Sequence, residues 1–411
     1  MTKPTALQTP TAPSERIIAL DALRGFAVLG ILIMNVQSYS MIEAAYINPT
    51  AYGDLTGINR WVSVLSHLLA DGKFMAIFSI LFGAGVVLMT GKVEAKGRSA
   101  VGLHYRRTLW LIVIGMIHAY LLWYGDILTA YGVCALLVFL FRKVSPKWLL
   151  VIGLISVSVA SLLYLSFGFS LPYWPAESYQ NVLQAWQPGA EKVSQEISSY
   201  QGSWLEQMSH RVPAALMFQT FLFMIWVGWR AGGLMLVGMA LFKWGLLTAQ
   251  RSKRFYSRLT AIGFLPGFPL VIYGMARNYQ ANWSFDYSMF IGNQFNYWGS
   301  ILIALGYIGV IMLICKSIHL SKLTGRFAAV GRMALTNYLM QTIICTTIFY
   351  GHGLGFFGRI ERGGQILIVF IVWILQLWLS PIWLRYFRFG PAEWVWRSLT
   401  YLRLQPVRQK P

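Results

Sequence analysis

Apolar residues fill almost every position of ten stretches, at about 23–41, 73–91, 108–124, 127–141, 148–168, 231–247, 257–276, 298–315, 328–350 and 365–386. Each run is near the roughly 20 residues that carry a helix across a bilayer. A segment in hydrocarbon must satisfy its own backbone, which leaves helices or a closed barrel. The runs are continuous, whereas barrel strands alternate. The pattern therefore predicts an all-α polytopic membrane helix bundle of about ten transmembrane helices.

The polar positions between the runs set the sidedness. Lys92, Lys96, Arg98, Arg106 and Arg107 follow the second run, and Arg142, Lys143 and Lys147 the fourth. Arg251, Lys253, Arg254 and Arg258 follow the sixth, Lys316, Lys322 and Arg326 the eighth, and Arg388, Arg397, Arg403 and Arg408 the tenth. The positive-inside bias then puts all of them, with both termini, in the cytoplasm. The opposite loops are less basic, and one carries Glu177, Glu191, Glu196 and Glu206.

This pattern divides the chain. Residues 1–15, rich in Pro and Thr, are expected as a disordered cytoplasmic tail. Two five-span bundles, 16–168 and 231–390, flank an extracytoplasmic insert at 169–230, and 391–411 forms a basic cytoplasmic tail. Residues 213–229 are expected as an interfacial helix, with Trp226, Trp229 and Arg230 at the headgroups. An eleventh span is the alternative.

Composition agrees. Of 411 residues, 56% are hydrophobic and only 12% charged, against about 25% charged in soluble domains. The net charge of +20 lies in short loops, as orientation signals do, so the expected partners are membrane lipids and not nucleic acid. Cys134, Cys315 and Cys345 fall inside runs and read as packing residues. No metal motif, phosphate loop or nucleophile elbow is present in the sequence, which argues against a nucleotide-driven pump.

Four constellations carry candidate chemistry. His67 and Asp71 are four apart at the outer entrance of the second run. On a helix they share a face, and a carboxylate beside an imidazole prepares a general base. The alternative is a helix start capped by Asp71. His118 lies inside the third run and Asp126 in the turn after it. On one straight helix they stand about 12 Å apart, so each needs a partner from another span. Thr336, Asn337, Gln341, Thr342 and Thr346 line one side of the ninth run, either facing a cavity or bonding neighbouring helices. Lastly, Arg106 and Arg107 with Lys92, Lys96 and Arg98, next to Arg16 and Arg24, form a basic patch suited to donor phosphates or to anionic lipid.

The opening stretch Arg16-Ile-Ile-Ala-Leu-Asp21-Ala-Leu-Arg24-Gly25, with Asn35 further along the same run, resembles the start of the YeiB-like family of bacterial membrane proteins, known as a domain of unknown function. The blocks Gly331-Arg332-Met-Ala-Leu-Thr-Asn337-Tyr338-Leu-Met-Gln341, Phe349-Tyr-Gly351-His-Gly353-Leu-Gly355 and Ser380-Pro381 to Arg397-Ser resemble that family across its second half. The opening is also similar to heparan-alpha-glucosaminide N-acetyltransferase and the wider transmembrane acyltransferases. That likeness implies acetyl transfer from cytosolic acetyl-CoA to a sugar across the membrane, with a catalytic His shortly before an Asp at the second span. His67 and Asp71 match that pattern, at a shorter spacing.

Together these readings give an inner-membrane acyltransferase with His67 and Asp71 as catalytic pair. Arg16, Arg24, Arg98, Arg106 and Arg107 would bind an acyl-CoA co-substrate, with no covalent cofactor. Asp21, Asn35, His118, Asp126, Asn337 and Gln341 would line the passage. The acceptor would be a glycan or lipid-linked group, and assembly a homo-oligomer. A small-molecule transporter or channel, or a non-catalytic lipid-binding protein, are the rival readings.

Overall fold

The computed structural model describes residues 16–409, so the tail expected over 1–15 lies outside the described residues. Seventeen α-helices follow in order. α1 (Ile18–Ser40), the short α2 (Glu43–Ile47), α3 (Gly57–Leu69) and α4 (Lys73–Glu94) come first. α5 (Val101–Leu121), α6 (Leu128–Val138) and α7 (Pro146–Ser170) lead to α8 (Ala176–Trp186) and α9 (Ala190–Gln201) in the insert. α10 (Met208–Met217) passes through a π-helical stretch, Phe218–Val227, into α11 (Gly228–Lys243). α12 (Lys253–Gln280) precedes a second π-helical stretch, Phe285–Gly292, which runs into α13 (Asn293–Cys315). α14 (Ser321–Arg332), α15 (Ala334–Phe349), α16 (Arg362–Tyr386) and α17 (Pro391–Tyr401) complete the chain.

The fold is the expected all-α polytopic bundle. Seven helical stretches among the described residues are long and apolar enough to cross a membrane. The other three expected spans correspond to α5, α6 and α15. α5 begins with Arg106 and Arg107 in its second turn, α6 runs apolar only to Phe141, and α15 has 16 residues. The central element is α1, most of which is buried, whereas most of α16 is not. Lipid supplies no hydrophobic drive between helices, so close packing and interhelical hydrogen bonds hold such a bundle.

Three expectations change. Residues 213–229 do not form a helix of their own. They are the first part of one continuous helix, Met208–Lys243. Its 36 residues extend about 54 Å at 1.5 Å per residue, longer than the roughly 30 Å hydrocarbon core. The expected ninth span is broken at Met333 between α14 and α15. The segment expected as a basic tail holds a helix. Gly390-Pro391 starts α17, which docks on α5 through Trp396 Nε1 to Arg107 O at 2.8 Å and Arg106 Nε to Thr400 O at 3.2 Å. Glu393 of α17 accepts the Leu335 and Thr336 amides at 2.6 and 3.2 Å. These are the orphan donors of the first turn of α15.

Candidate functional site

α3 ends at Leu69, and the chain turns through Ala70-Asp71-Gly72 before α4 starts. Gly72 takes φ 74°, and an added Cβ would lie 3.0 Å from Ser300 Oγ and 3.4 Å from an Arg230 nitrogen. Only glycine suits both demands. The turn opens onto an interior cavity of about 390 Å³, walled by α1, α3, α4, α11, α13 and the π-helical stretch before α11.

His67 and Asp71 meet in this cavity. His67 Nδ1 lies 3.2 Å from Asp71 Oδ2, and both residues line the space. The pair does not share a helix face, because the helix stops between them. The turn brings them together instead, with Asp71 N bonded to Ser66 O at 3.1 Å. Asp71 Oδ2 also accepts Asn296 Nδ2 at 2.6 Å, and Asn296 Oδ1 accepts Lys73 Nζ at 2.6 Å. Lys73 Nζ further donates to His67 O at 2.7 Å. Asp71 thus has a fixed position and holds Nδ1, which leaves Nε2 as the ring nitrogen able to accept a proton.

Arg230 also lines the cavity, next to the Gly72 turn. It is 1% exposed and donates to Tyr297 O at 3.0 Å and Ser300 Oγ at 2.7 Å. Its guanidinium stacks 4.3 Å over the Tyr297 ring. Continuation of α10 through the π-helical stretch into α11 turns Arg230 into the bundle and not outward. Both π-helical stretches directly precede cavity residues, Arg230 and Asn296, and such stretches recur at functional sites. Lys73, Arg230 and Asn296 were missed in the sequence, although an intramembrane charge is a signal in itself. Asn35 of α1 also lines the cavity.

The other expected passage residues lie elsewhere. His118 Nδ1 is 2.9 Å from Asp126 Oδ1, far closer than a straight helix allows, because α5 ends at Leu121 and the turn folds Asp126 back. His118 Nε2 bonds Thr342 Oγ1 at 2.8 Å, and Thr342 Oγ1 bonds Tyr39 OH at 2.7 Å. His118 and Asp126 are 1% and 0% exposed, behind the Trp123 and Tyr338 rings that face the cavity. This buried chain locks α1, α5 and α15 together. Asn337 Nδ2 bonds Val330 O and Ser380 Oγ, both at 3.1 Å. Gln341 Nε2 bonds Val28 O and Gln376 Oε1, both at 3.0 Å. These two join α15 to α1 and α16 and do not line the cavity. Asp21 sits at the basic end, 2.7 Å from Arg24 and 3.8 Å from Arg16.

At that basic end the arginines form a group larger than expected. Arg16 lies within electrostatic reach of Arg24, Arg332, Arg388 and Arg397, and Arg107 within reach of Arg24 and Arg397. The carboxylates among them are Asp21 and Glu393. The Nε atoms of Arg16, Arg332 and Arg397 are buried without a hydrogen-bond partner. Burial pulls the Arg16 and Arg397 guanidiniums below their usual value, and the neighbouring arginines pull the same way. Arg98 stands apart in the loop after α4, with no ion pair or hydrogen bond to this group among the described residues.

A family model described as "Protein of unknown function (DUF418)" matches residues 241–403. The Uncharacterized protein YeiB of Escherichia coli (strain K12) is 35% identical over 96% of this chain and 99% of its own length. The Uncharacterized protein YxaH of Bacillus subtilis (strain 168) is 32% identical over 98% of each chain. An uncharacterized 39.9 kDa protein in the amylase 3'region of Bacillus acidopullulyticus is 27% identical over 98% of each. Near-complete coverage at this identity means that the chain belongs to the YeiB-like, DUF418 family of membrane proteins.

Proposed function

We propose that this protein is a transmembrane acyltransferase of the bacterial inner membrane. It moves an acyl group from a CoA thioester on the basic, cytoplasmic side to a hydroxyl or amine on the other side. The observation that carries the reading is the His67–Asp71 pair, 3.2 Å apart in the wall of a cavity that also holds a buried arginine. His67 Nε2 takes the proton of the acceptor, whose oxygen or nitrogen attacks the thioester carbonyl. The carbon–sulfur bond then breaks, and the departing thiolate receives that proton from His67. Asp71 keeps the imidazole oriented and steadies its charged form. Arg230 places positive charge where the carbonyl oxygen becomes negative.

The buried, unpartnered arginine nitrogens supply donors for phosphate oxygens of the donor. α1 links the two places: Arg24 and Asn35 are separated by about 16 Å along the helix at 1.5 Å per residue. Phe26, Phe74, Tyr307 and Phe327 pack between them, with Phe26–Phe74 and Phe26–Tyr307 centroids 5.3 and 5.6 Å apart. In this reading the acyl group passes that aromatic partition only when a ring swings aside. The acceptor belongs to the glycan or lipid-linked class.

The test is thermal unfolding of the detergent-purified protein with acetyl-CoA, free CoA or lipid. Stabilisation by the CoA species, rising with concentration, supports the reading. No shift at saturating acetyl-CoA contradicts it.

A further inference from the structure

Three side chains apart from the His67 pair converge under the insert. Glu43 opens α2, Glu196 belongs to α9 and His210 to α10. His210 Nε2 lies 3.2 Å from Glu43 Oε1 and 3.5 Å from Glu196 Oε1. One ligand atom from each of the three residues falls within 4.8 Å of the others. Two donor atoms held by one tetrahedral ion at about 2.1 Å stand roughly 3.4 Å apart. The observed separations match that spacing.

Hydrogen bonding leaves the same point unanswered. Glu43 Oε1 and His210 Nε2 are both sealed from solvent and face each other at 3.2 Å, while Glu196 Oε1 accepts the Glu43 amide at 2.8 Å. The hydroxyls of Tyr200 and Tyr350, residues only 1% and 0% exposed, are sealed without a hydrogen-bond partner. The Tyr200 ring meets His210 edge-on at 5.3 Å and lies 4.8 Å from Tyr350. Both tyrosines lie within electrostatic reach of Glu43 and Glu196. Buried polar atoms without partners are costly, and two such hydroxyls on rings beside the His–carboxylate cluster call for a further partner there. A protonated imidazole between two carboxylates would leave a net negative charge and both hydroxyls unmet.

We propose that Glu43, Glu196 and His210 bind one divalent cation of the zinc or manganese class. Imidazole suits zinc, carboxylate oxygens suit harder ions, and the mixed set fits either. Glu43 is in the cavity wall, so the ion borders the cavity that holds His67. It ties the segment after α1 to α9 and α10 of the insert. Three protein ligands leave a position for water, which the tyrosine hydroxyls can then bond. The inference stands without the acyltransferase reading, because binding is read without any turnover.

The experiment uses the full chain in detergent, with its affinity tag removed, stripped by chelator and dialysed. Zn²⁺ and Mn²⁺ are titrated separately, and bound metal is counted by elemental analysis. The expected result is one ion per chain and a higher unfolding temperature. Glu196→Gln and His210→Asn weaken binding at least tenfold while their metal-free unfolding matches the metal-free parent. Co²⁺ on the unmutated protein gives the intense visible absorption of a four-coordinate site, a readout that needs no variant. Less than a tenth of an ion per unmutated chain, equal affinity in folded variants, or no four-coordinate Co²⁺ spectrum overturns the proposal.

Discussion

Gly25 of α1 and Gly331 of α14 lie backbone against backbone. A Cβ added at Gly25 would fall 1.9 Å from Phe327 O, and one at Gly331 would fall 1.9 Å from Asp21 O. Two sequence blocks some three hundred residues apart are therefore two sides of one crossing. Gly25 follows Arg24 and Gly331 precedes Arg332, so the crossing also brings these arginines into one group. Alanine at either position is expected to lower stability by about 1–3 kcal/mol or more, since backbone and not a flexible side chain must move. Gly85→Ala on α4, where the added methyl meets nothing within 4 Å, is expected to leave stability unchanged or raise it. Thermal unfolding in one detergent compares the three.

The two histidine–carboxylate pairs have different tasks and should fail differently. Asp126→Ala strands His118 inside the bundle and is expected to cost about 3–5 kcal/mol, the range for a broken buried pair. His67→Ala borders a cavity and should leave the unfolding temperature within a few degrees of the parent. Matching losses of stability in both variants would make the His67 pair structural.

The straight-helix expectation for His118 and Asp126 shows what the sequence conceals. Spacing along one helix put them far apart, but α5 stops at Leu121 and the turn reverses the chain. His67 and Asp71 were found by a helical spacing that the structure does not use: the Gly72 turn creates the contact instead. The long apolar runs were legible because lipid and core both demand them. The inward side chain of Arg230 was not legible, because a π-helical turn changes which face a residue presents and hydropathy carries no trace of it. Glu43, Glu196 and His210 are gathered from segments too distant in the chain for any ligand-spacing pattern to register.

The arginine group predicts an anion dependence. Adenosine 3′,5′-bisphosphate should stabilise the protein, and Arg16→Gln or Arg397→Gln should weaken that effect at least tenfold. Added salt should weaken it further. Arg98→Gln should behave as the parent. Equal binding in all three variants, measured by calorimetry or thermal shift, would place the donor phosphates elsewhere.

Glu393 gives a signed pH dependence. Burial raises its carboxyl above the ordinary value of 4.5, despite opposing hydrogen bonds from Thr336 and from backbone amides. The folded state therefore holds this proton more tightly than the unfolded chain does. The resulting stability is fully present below pH 4.5, the unfolded value, and is lost as pH rises through the higher folded value. Glu393→Gln should remove that part of the slope, and the difference between variant and parent unfolding curves across the acid range reads it. A difference independent of pH would contradict the assignment.

The decisive experiment follows acyl transfer itself. Protein in proteoliposomes is given radiolabelled acetyl-CoA on the basic face, with bacterial glycan and lipid extract on the other. Label leaving CoA for an extract component, and liberated thiol, are measured together. Transfer by the parent, with a loss of at least a hundredfold in a folded His67→Ala variant that still binds CoA, is the expected result. Undiminished transfer in that variant would contradict His67 as the base.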